Sequence, residues 1–256
     1  MKFRSLKSPF AIKQDASGNT LPIHIDEKDG CIAENLSLAT WGASYVLANH
    51  LQKWKDTATV TTAQKNESRS VPVLELGAGT GLVGLSAAAI WNLPTILTDL
   101  PPIVPGLAHN INLNRSLLAE KSTTAQCGAL DWTQPEKLML VNPVQAASGP
   151  SYIESSRKAH IILAADVVYD EDHPELLLKT ILAWLAPGKD SRVIICYPVR
   201  MAYIDHIRDL WERFEGAGLE CVEEGQESSD DDWGEAEPAP YEWCMWRWKN
   251  QEGSQV

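Results

Sequence analysis

Residues 73 to 81 read Val-Leu-Glu-Leu-Gly-Ala-Gly-Thr-Gly, and a segment of helical pattern follows at 82–91. The apolar run before the first glycine is typical of a buried strand in a parallel sheet. Glycines let the backbone turn with positive φ and approach a ligand closely, because they carry no Cβ. A strand, a glycine-rich turn and a helix N-terminus together predict a binding site for a polar, nucleotide-like ligand.

The glycine turn fits two fingerprints. One is the dinucleotide pattern G-x-G-x-x-G with an acidic residue further along, which would use Gly79, Gly81, Gly84 and Asp99. The other is G-x-G-x-G preceded by a glutamate, which would use Glu75, Gly77, Gly79 and Gly81. A glycine fingerprint alone does not choose between them, so other segments must.

Composition limits the function classes. The chain has 256 residues, a formal net charge of −12 and a sequence pI of about 4.9. An acidic chain is a poor match for nucleic acid, because phosphate contacts need lysine and arginine. The sequence has no apolar run of about 18 residues, and its five cysteines lack metal-ligand spacing. We therefore expect a cytoplasmic protein with no metal, no membrane contact and no direct nucleic-acid binding.

Strand patterns alternate with helical patterns after residue 70, which indicates βαβ units around a parallel sheet. The strand candidates are 71–76, 95–98, 124–130, 160–165 and 192–197. The helical candidates are 82–91, 102–114, 174–185 and 201–217. Residues 219–224 and 241–249 predict a hairpin at the sheet edge. The expected fold class is α/β: a Rossmann-like, seven-stranded, mostly parallel sheet with helices on both faces and an antiparallel C-terminal hairpin.

The remaining segments are less regular. Residues 37–54 have apolar positions at helical spacing and predict one helix. The polar stretch 57–70 predicts a loop, and 142–158, rich in Pro, Gly, Ser and Ala, predicts an insertion.

Polar residues follow the ends of successive strand candidates, where a ligand of a parallel sheet binds. Asp99, followed by Leu100, can accept hydrogen bonds from two ribose hydroxyls. At the end of the next strand, Asp131 can accept an adenine amino hydrogen and Trp132 can pack on the ring. The Glu75-containing glycine turn resembles motif I of the class I methyltransferases, which bind S-adenosylmethionine, and with these residues that resemblance favours this cofactor over a dinucleotide.

Two further segments complete the pattern. Ala165-Asp166-Val167-Val168-Tyr169 ends the fourth strand, above the expected position of the reacting methyl group. Upstream, Ala39-Thr40-Trp41-Gly42-Ala43 lies in the predicted helix 37–54, which could cover the cofactor.

Together these motifs resemble the protein-lysine methyltransferases of the seven-strand class I group, the methyltransferase-like 21 relatives. The resemblance covers about residues 35–248 and rests on the upstream Trp segment, the glycine turn, Leu130-Asp131-Trp132 and Asp166-x-x-Tyr169. Asp231-Asp232-Trp233-Gly234 resembles fungal members that modify translation elongation factors, most like those acting on elongation factor 2. The resemblance implies a protein substrate of that kind. It also divides the chain into an N-terminal extension, 1–34, and a methyltransferase domain, 35–250.

The predicted site has two parts. The catalytic candidates are Asp166 and Tyr169, which would hold the incoming ammonium through its charge and through a cation–π contact. The candidates for binding S-adenosylmethionine are Trp41, Glu75, Gly77, Ala78, Gly79, Gly81, Asp99, Leu100, Asp131, Trp132 and Ala165. Gly84 is expected to serve helix packing.

The sequence leaves several alternatives open. A small-molecule or nucleic-acid methyltransferase, an NAD-dependent oxidoreductase and a silent cofactor-binding module share the core pattern. Residues 220–242 hold ten acidic residues and neither lysine nor arginine. They form either a solvated loop or a docking edge for a basic protein surface. Arg200 either touches the substrate or pairs with this acidic segment.

Overall fold

The fold centres on one large sheet in a computed structural model that describes residues 8–33, 35–63, 71–141, 151–228 and 240–250. The described strands are β1 Phe10–Lys13, β2 Thr20–Ile23, β3 Ile32–Ala33, β4 Leu36–Ser37, β5 Val71–Leu76, β6 Thr95–Asp99, β7 Ala125–Ala129, β8 Lys137–Val141, β9 Ser151–Glu154, β10 Ala159–Ala165, β11 Arg192–Pro198, β12 Leu219–Glu227 and β13 Tyr241–Trp248. The described α-helices are α1 Gly42–His50, α2 Lys55–Ala63, α3 Leu82–Trp91, α4 Val104–Leu113, α5 Arg115–Glu120, α6 His173–Trp184 and α7 Ile204–Gly216. Short 3₁₀ turns cover Leu51–Trp54 and Met201–Tyr203.

Within the described residues, nine strands form the main sheet, in the order β12-β13-β11-β10-β5-β6-β7-β8-β9. The five central strands, β11, β10, β5, β6 and β7, run parallel. The chain moves outward from β5 to β7 on one side and then returns to build β10 and β11 on the other. The order therefore reverses between β5 and β10, and the carboxyl ends at such a point form a ligand crevice.

Two apolar cores lie against the sheet, one on each face, as expected for parallel strands. One core joins α1, α3 and α4 to the sheet, and the other joins α6 and α7 to it. Strand β13 shows why both faces are covered. Trp243 and Met245 belong to the first core, whereas Cys244 and Trp246 belong to the second, so the strand's alternation serves both.

The predicted fold class is confirmed, and the bounds of β5 and α3 are as predicted. All seven predicted strands are present, with the C-terminal pair antiparallel at one edge. At the opposite edge the sheet continues by β8 and β9, which were not predicted. Strand β9 lies within the predicted insertion 142–158, of which 142–150 lie outside the described residues. Its pairing with β8 buries Leu138 and Ile153 in the core, and this burial overrides a local composition typical of loops.

The helix predicted at 37–54 is confirmed from Gly42 onwards, as α1 and the 3₁₀ turn Leu51–Trp54, and is wrong for residues 37–41. The segment begins in β4, and α1 starts only at Gly42, because Trp41 is extended at φ −98° and ψ 153°. Two tertiary contacts hold the preceding residues out of a helix. Leu38 packs against Cys31 and Ile103, and the backbone N–H of Thr40 donates to Glu27 Oε1 at 2.8 Å.

The loop predicted at 57–70 is also wrong where the structure describes it. Residues 57–63 belong to helix α2, while 64–70 lie outside the described residues. Buried Ala58 packs into the core with Trp54. Tertiary packing therefore forms a helix from a threonine-rich stretch of weak intrinsic helix propensity.

Two asparagines, one in α4 and one at its C-cap, attach the N-terminal segment to the domain. Buried Asn110 exchanges hydrogen bonds with the backbone of Asp26 at 2.9 and 3.1 Å and donates to the carbonyl of Thr80 at 2.9 Å. Asn114, one turn later, does the same with the backbone of His24 at 2.9 and 2.7 Å. The N-terminal segment is thereby joined to the glycine turn through a single helix.

No helix in the described ranges has the length and apolar character that crossing a bilayer requires.

We expect Asn110→Ala to lower the free energy of unfolding by about 1–3 kcal/mol, because it leaves several buried backbone groups without partners. Urea denaturation monitored by tryptophan fluorescence would measure this. Asn112→Ala is the matched control, since Asn112 lies on the same helix with an exposed side chain. Equal losses of unfolding free energy in the two variants would contradict a stabilising role for the hydrogen bonds of Asn110.

Candidate active site

A pocket lies at the carboxyl ends of β5, β6, β7 and β10. Its cover is formed by Ala33, Leu36, Ser37, Leu38, Ala39, Trp41 and Ser44. Most of the predicted site residues line it together: Trp41, Gly77, Ala78, Gly79, Asp99, Leu100, Asp131, Trp132, Ala165, Asp166 and Tyr169. Glu75 and Gly81 do not line it. Glu75 supports the glycine turn from the protein interior, and Gly81 ends the turn as the residue before α3. The sheet thus brings together residues more than a hundred positions apart in the chain.

The glycine turn requires glycine at its conformation. Gly77, Gly79 and Gly81 have φ of 62°, 53° and 83°, in the left-handed region. A Cβ at Gly77 would lie 2.7 Å from Val167 Cγ1, whereas a Cβ at Gly79 would meet nothing closer than 3.8 Å. The backbone at Gly79 is therefore open towards the pocket, where a ligand could approach it.

Asp99 shapes the floor of the pocket. Its Oδ2 accepts the backbone N–H of Gly79 and its Oδ1 accepts that of Leu100, both at 2.7 Å. A carboxylate offers about four lone-pair sites, so both oxygens retain capacity for ribose hydroxyls. Asp99 therefore fixes the glycine turn and can also receive a ligand.

Glu75 supports the same turn from inside the protein. It is 2% exposed, and its Oε2 accepts the backbone N–H of Gly84 at 2.9 Å. Burial raises the pKa of the Glu75 carboxyl well above its ordinary value, and the neighbouring Asp99 charge adds to this effect. A Cβ at Gly84 would lie 2.3 Å from Glu75 Oε2 and 2.6 Å from Leu97 Cγ. The close contact agrees with the packing role expected for Gly84.

The turn after β7 carries the predicted adenine contacts. Asp131 Oδ1 accepts the backbone N–H of Thr133 at 2.8 Å and its hydroxyl at 2.7 Å, which fixes this turn. The Trp132 ring lies beside the glycine turn, 3.5 Å from where a Cβ of Gly77 would stand. Asp131 and Trp132 thus lie at the pocket wall, where the sequence placed them.

The cover of the pocket is not the predicted helix. Trp41 is the residue before α1, and the chain reaches it as an extended segment. Thr40 Oγ1 and Thr80 Oγ1 are hydrogen-bonded at 3.0 Å, which joins the cover to the glycine turn. Trp41 therefore lines the pocket from an extended segment, and its predicted helical conformation is wrong.

Asp166 lies at the end of β10 with a left-handed backbone, at φ 56°. Its carboxylate is paired with Arg200: Nη1 to Oδ1 is 3.1 Å and Nη2 to Oδ2 is 3.3 Å. The sequence left two alternatives for Arg200, contact with the substrate or pairing with the acidic segment, and neither included this contact with Asp166. Residues 229–239 of the acidic segment lie outside the described residues.

Sequence reasoning missed His173. The histidine begins α6 and lines the pocket. Its ring packs edge-on against Tyr169 and Trp132, with centroid distances of 4.4 and 5.8 Å. The signal was available, because His173 follows Tyr169 by four residues at the start of a helical pattern. His173 therefore forms an aromatic cluster with Tyr169 and Trp132 at the pocket wall.

The buried carboxyl of Glu75 predicts a pH dependence. Because its folded-state pKa lies above its ordinary value of 4.5, the folded protein binds that proton more tightly than the unfolded chain. This contribution to stability is full below pH 4.5 and is lost as pH rises through the folded-state pKa. We expect Glu75→Gln, which keeps an acceptor for Gly84, to become more stable relative to wild type with rising pH.

Thermal unfolding between pH 4.5 and pH 8.5 would measure the effect. Glu120→Gln removes an exposed carboxylate and serves as the control. Parallel stability curves for wild type and Glu75→Gln would contradict a raised pKa.

Comparison with known proteins gives a consistent result. The family model described as lysine methyltransferase matches residues 17–206. Protein-lysine N-methyltransferase rrg1 of Schizosaccharomyces pombe is 32% identical over 213 residues, which cover 83% of this chain and 63% of that protein. Protein-lysine N-methyltransferase EFM2 of Saccharomyces cerevisiae is 31% identical over 226 residues, covering 84% and 49%. EEF1A lysine methyltransferase 3 of Xenopus tropicalis is 28% identical over 149 residues, covering 57% and 53%.

The chain thus spans less than two thirds of the length of each of these relatives. The family model, in contrast, covers most of the chain and includes the cover, the glycine turn and the Asp166 strand end. The resemblance inferred from the motifs is confirmed: the chain belongs to the lysine methyltransferase family.

Proposed function

We propose that the chain is an S-adenosylmethionine-dependent methyltransferase that modifies lysine side chains of proteins. The observation that carries this proposal is the convergence of the glycine turn, Asp99, Trp132 and the Asp166–Tyr169 segment on one pocket. The catalytic domain is assigned to 35–250 and the N-terminal extension to 1–34. The described part of that extension packs into the same core as α1 and α3.

The pocket residues fit the cofactor in kind and in order. The open backbone at Gly79 suits the methionine end, Asp99 suits the ribose, and Asp131 with Trp132 suits the adenine. Trp41 and Leu100 lie along the walls, and Ala165 leads from the sheet to the reacting end. When bound, S-adenosylmethionine supplies a methyl group on a positively charged sulfur.

Methyl transfer requires an amine lone pair aligned with the S–CH₃ bond. With the cofactor bound, an N–CH₃ bond would form as the S–CH₃ bonding pair returned to sulfur, and a proton would pass from the amine to water. Free lysine is protonated at neutral pH, with a pKa of about 10.4, so the site must favour the neutral amine. The rings of Tyr169 and His173 pack edge-on at the pocket wall, and an amine desolvated against such rings has a lowered pKa.

A second groove adjoins the pocket and supplies a route for a protein substrate. It shares Leu36, Tyr169, His173 and Leu176 with the pocket and adds Asn35, Asp170 and Asp172 at the rim. Asp170 and Asp172 are exposed, and within the described residues neither forms a salt bridge. A lysine-bearing segment with further positive charge matches this rim.

A translation elongation factor is the substrate we propose, and elongation factor 2 is the first to test. The motif 231–234 supports this choice, as does the relative whose name specifies EEF1A. The motif itself lies outside the described residues. The cytoplasm is the corresponding proposed location.

Binding and transfer test the proposal directly. Calorimetry is expected to show S-adenosylhomocysteine binding, and labelled methyl groups should enter the protein fraction of a lysate. Asp99→Asn should weaken the affinity for S-adenosylhomocysteine by about ten- to a hundredfold, because it removes a charged hydrogen-bond acceptor that contributes roughly 1.5–3 kcal/mol. Asp205→Asn, at an exposed site on α7, is the control.

Other outcomes identify the rivals. Label in the RNA or metabolite fraction would favour a nucleic-acid or small-molecule methyltransferase, and binding of NADH alone would favour an oxidoreductase. Absence of S-adenosylhomocysteine binding would contradict the proposed methyltransferase function.

The acidic rim predicts an effect on substrate binding alone. Replacing Asp170 and Asp172 together by asparagine should raise KM for the protein substrate by roughly three- to tenfold, since exposed ion pairs contribute about 0.2–1 kcal/mol each. Affinity for S-adenosylhomocysteine should not change. The matched control replaces exposed Glu120 and Glu212 by glutamine, which removes the same charge away from the groove. A KM increase of equal size in the control would show that only net charge matters.

A further inference from the structure

The ion pair between Asp166 and Arg200 lies at the reacting end of the pocket. The guanidinium meets the carboxylate through two hydrogen bonds, at 3.1 and 3.3 Å, in the planar arrangement that arginine favours. The Asp166 side chain is 6% exposed and that of Arg200 is 24% exposed. This pair is therefore shielded from water, unlike the surface pairs of the protein.

The backbone fixes both partners. Asp166 donates its N–H to the carbonyl of Cys196 at 2.9 Å, which holds the end of β10 against β11. Arg200 lies just beyond β11, in a turn where its N–H donates to Pro198 and its carbonyl accepts from Tyr203, both at 3.0 Å. The left-handed backbone of Asp166 aims its side chain within this frame, and such strain persists only where the surroundings enforce it.

The pair changes what Asp166 can do to a substrate amine. A lone, shielded carboxylate would stabilise the ammonium form and raise the amine pKa, which would hinder methyl transfer. With the guanidinium in place, the two side chains are together neutral, and the amine meets a carboxylate whose charge is already balanced.

Resting on the proposed function, we propose that Arg200 is a positioning residue which balances Asp166, so that Asp166 can orient the acceptor amine without retaining it as an ammonium. Other ionisable groups also face the Asp166 carboxylate. They are the same in wild type and variant, so a difference between the two pH profiles is due to Arg200. From the neighbouring strand ends and α6 these groups are Asp99, Asp131, Tyr169, Cys196 and His173, and from β12 Glu227 acts on Cys196.

The rival explanation is a purely structural tether between the ends of β10 and β11. The two explanations differ in pH dependence. A tether predicts lower stability and lower rate with an unchanged pH profile. Charge balance predicts that removing the guanidinium shifts the pH dependence of kcat upwards, because the amine then needs a higher pH to lose its proton.

Arg200→Met tests this with two measurements. The pH midpoint of kcat is expected to rise by about one unit, which corresponds to about 1.4 kcal/mol, while S-adenosylhomocysteine affinity stays within about twofold. The second measurement needs no turnover: n-butylamine is titrated into protein saturated with S-adenosylhomocysteine. Its affinity should rise with pH in wild type and should be highest below the amine pKa in Arg200→Met.

Two further variants secure the interpretation. Asp166→Asn combined with Arg200→Met removes both charges, and its butylamine profile should return to the direction of wild type. Because the double variant leaves no shielded charge unpaired, it also serves if Arg200→Met does not fold. Arg208→Met, which removes an arginine from the exposed pair with Asp205, should leave both profiles unchanged.

The outcomes separate the two proposals. A wild type that binds S-adenosylhomocysteine but labels no protein overturns the proposed function, while the butylamine titration still tests Arg200. Folded Arg200→Met with the same butylamine profile as wild type overturns the positioning role. If only the double variant folds, a butylamine profile opposite in direction to that of wild type overturns it too.

Discussion

The glycine turn after β5 is held by two carboxylates, and the rest of the site depends on this support. Glu75 accepts the N–H of Gly84 from inside the protein, and Asp99 accepts the N–H of Gly79 from the neighbouring strand. The first N–H groups of a helix have no partner within that helix, and Gly84 lies in the first turn of α3. Glu75 therefore serves the helix start and Asp99 serves the left-handed Gly79. A strand-end carboxylate on each of two adjacent parallel strands meets these two needs. The same geometry leaves the outer surface of the turn free to face a ligand.

The pocket extends from this turn because neighbouring elements are attached to it. Asn110 connects the carbonyl of Thr80 to the backbone of Asp26, and the Thr40–Thr80 hydrogen bond attaches the cover. The N-terminal hairpins therefore do more than extend the core. These hydrogen bonds connect them to the glycine turn, so a change in the conformation of the turn would shift the cover. This coupling links local backbone geometry to access to the site.

The sequence predicted the parts of the molecule whose signals are local. The β5–α3 unit, the parallel sheet and most pocket residues follow from apolar runs, glycines and polar strand ends. The errors lie where distant contacts override local pattern. Burial of Leu138 and Ile153 forms an additional hairpin, and burial of Ala58 forms helix α2. The Asp166–Arg200 contact was beyond sequence reasoning, because 34 residues separate the partners and no periodicity relates them.

That contact also shows why a family motif is an incomplete description of a lysine site. Asp166-x-x-Tyr169 identifies a carboxylate and an aromatic ring, yet a carboxylate alone would favour the unreactive ammonium. Arg200 lies two residues beyond the next strand, β11, and the parallel arrangement of β10 and β11 is what brings its guanidinium to the carboxylate. The chemistry of the motif is therefore set by its neighbour in the sheet. In a relative with the same motif but an uncharged residue at this strand end, we would expect the amine to be bound more tightly and methylated only at higher pH.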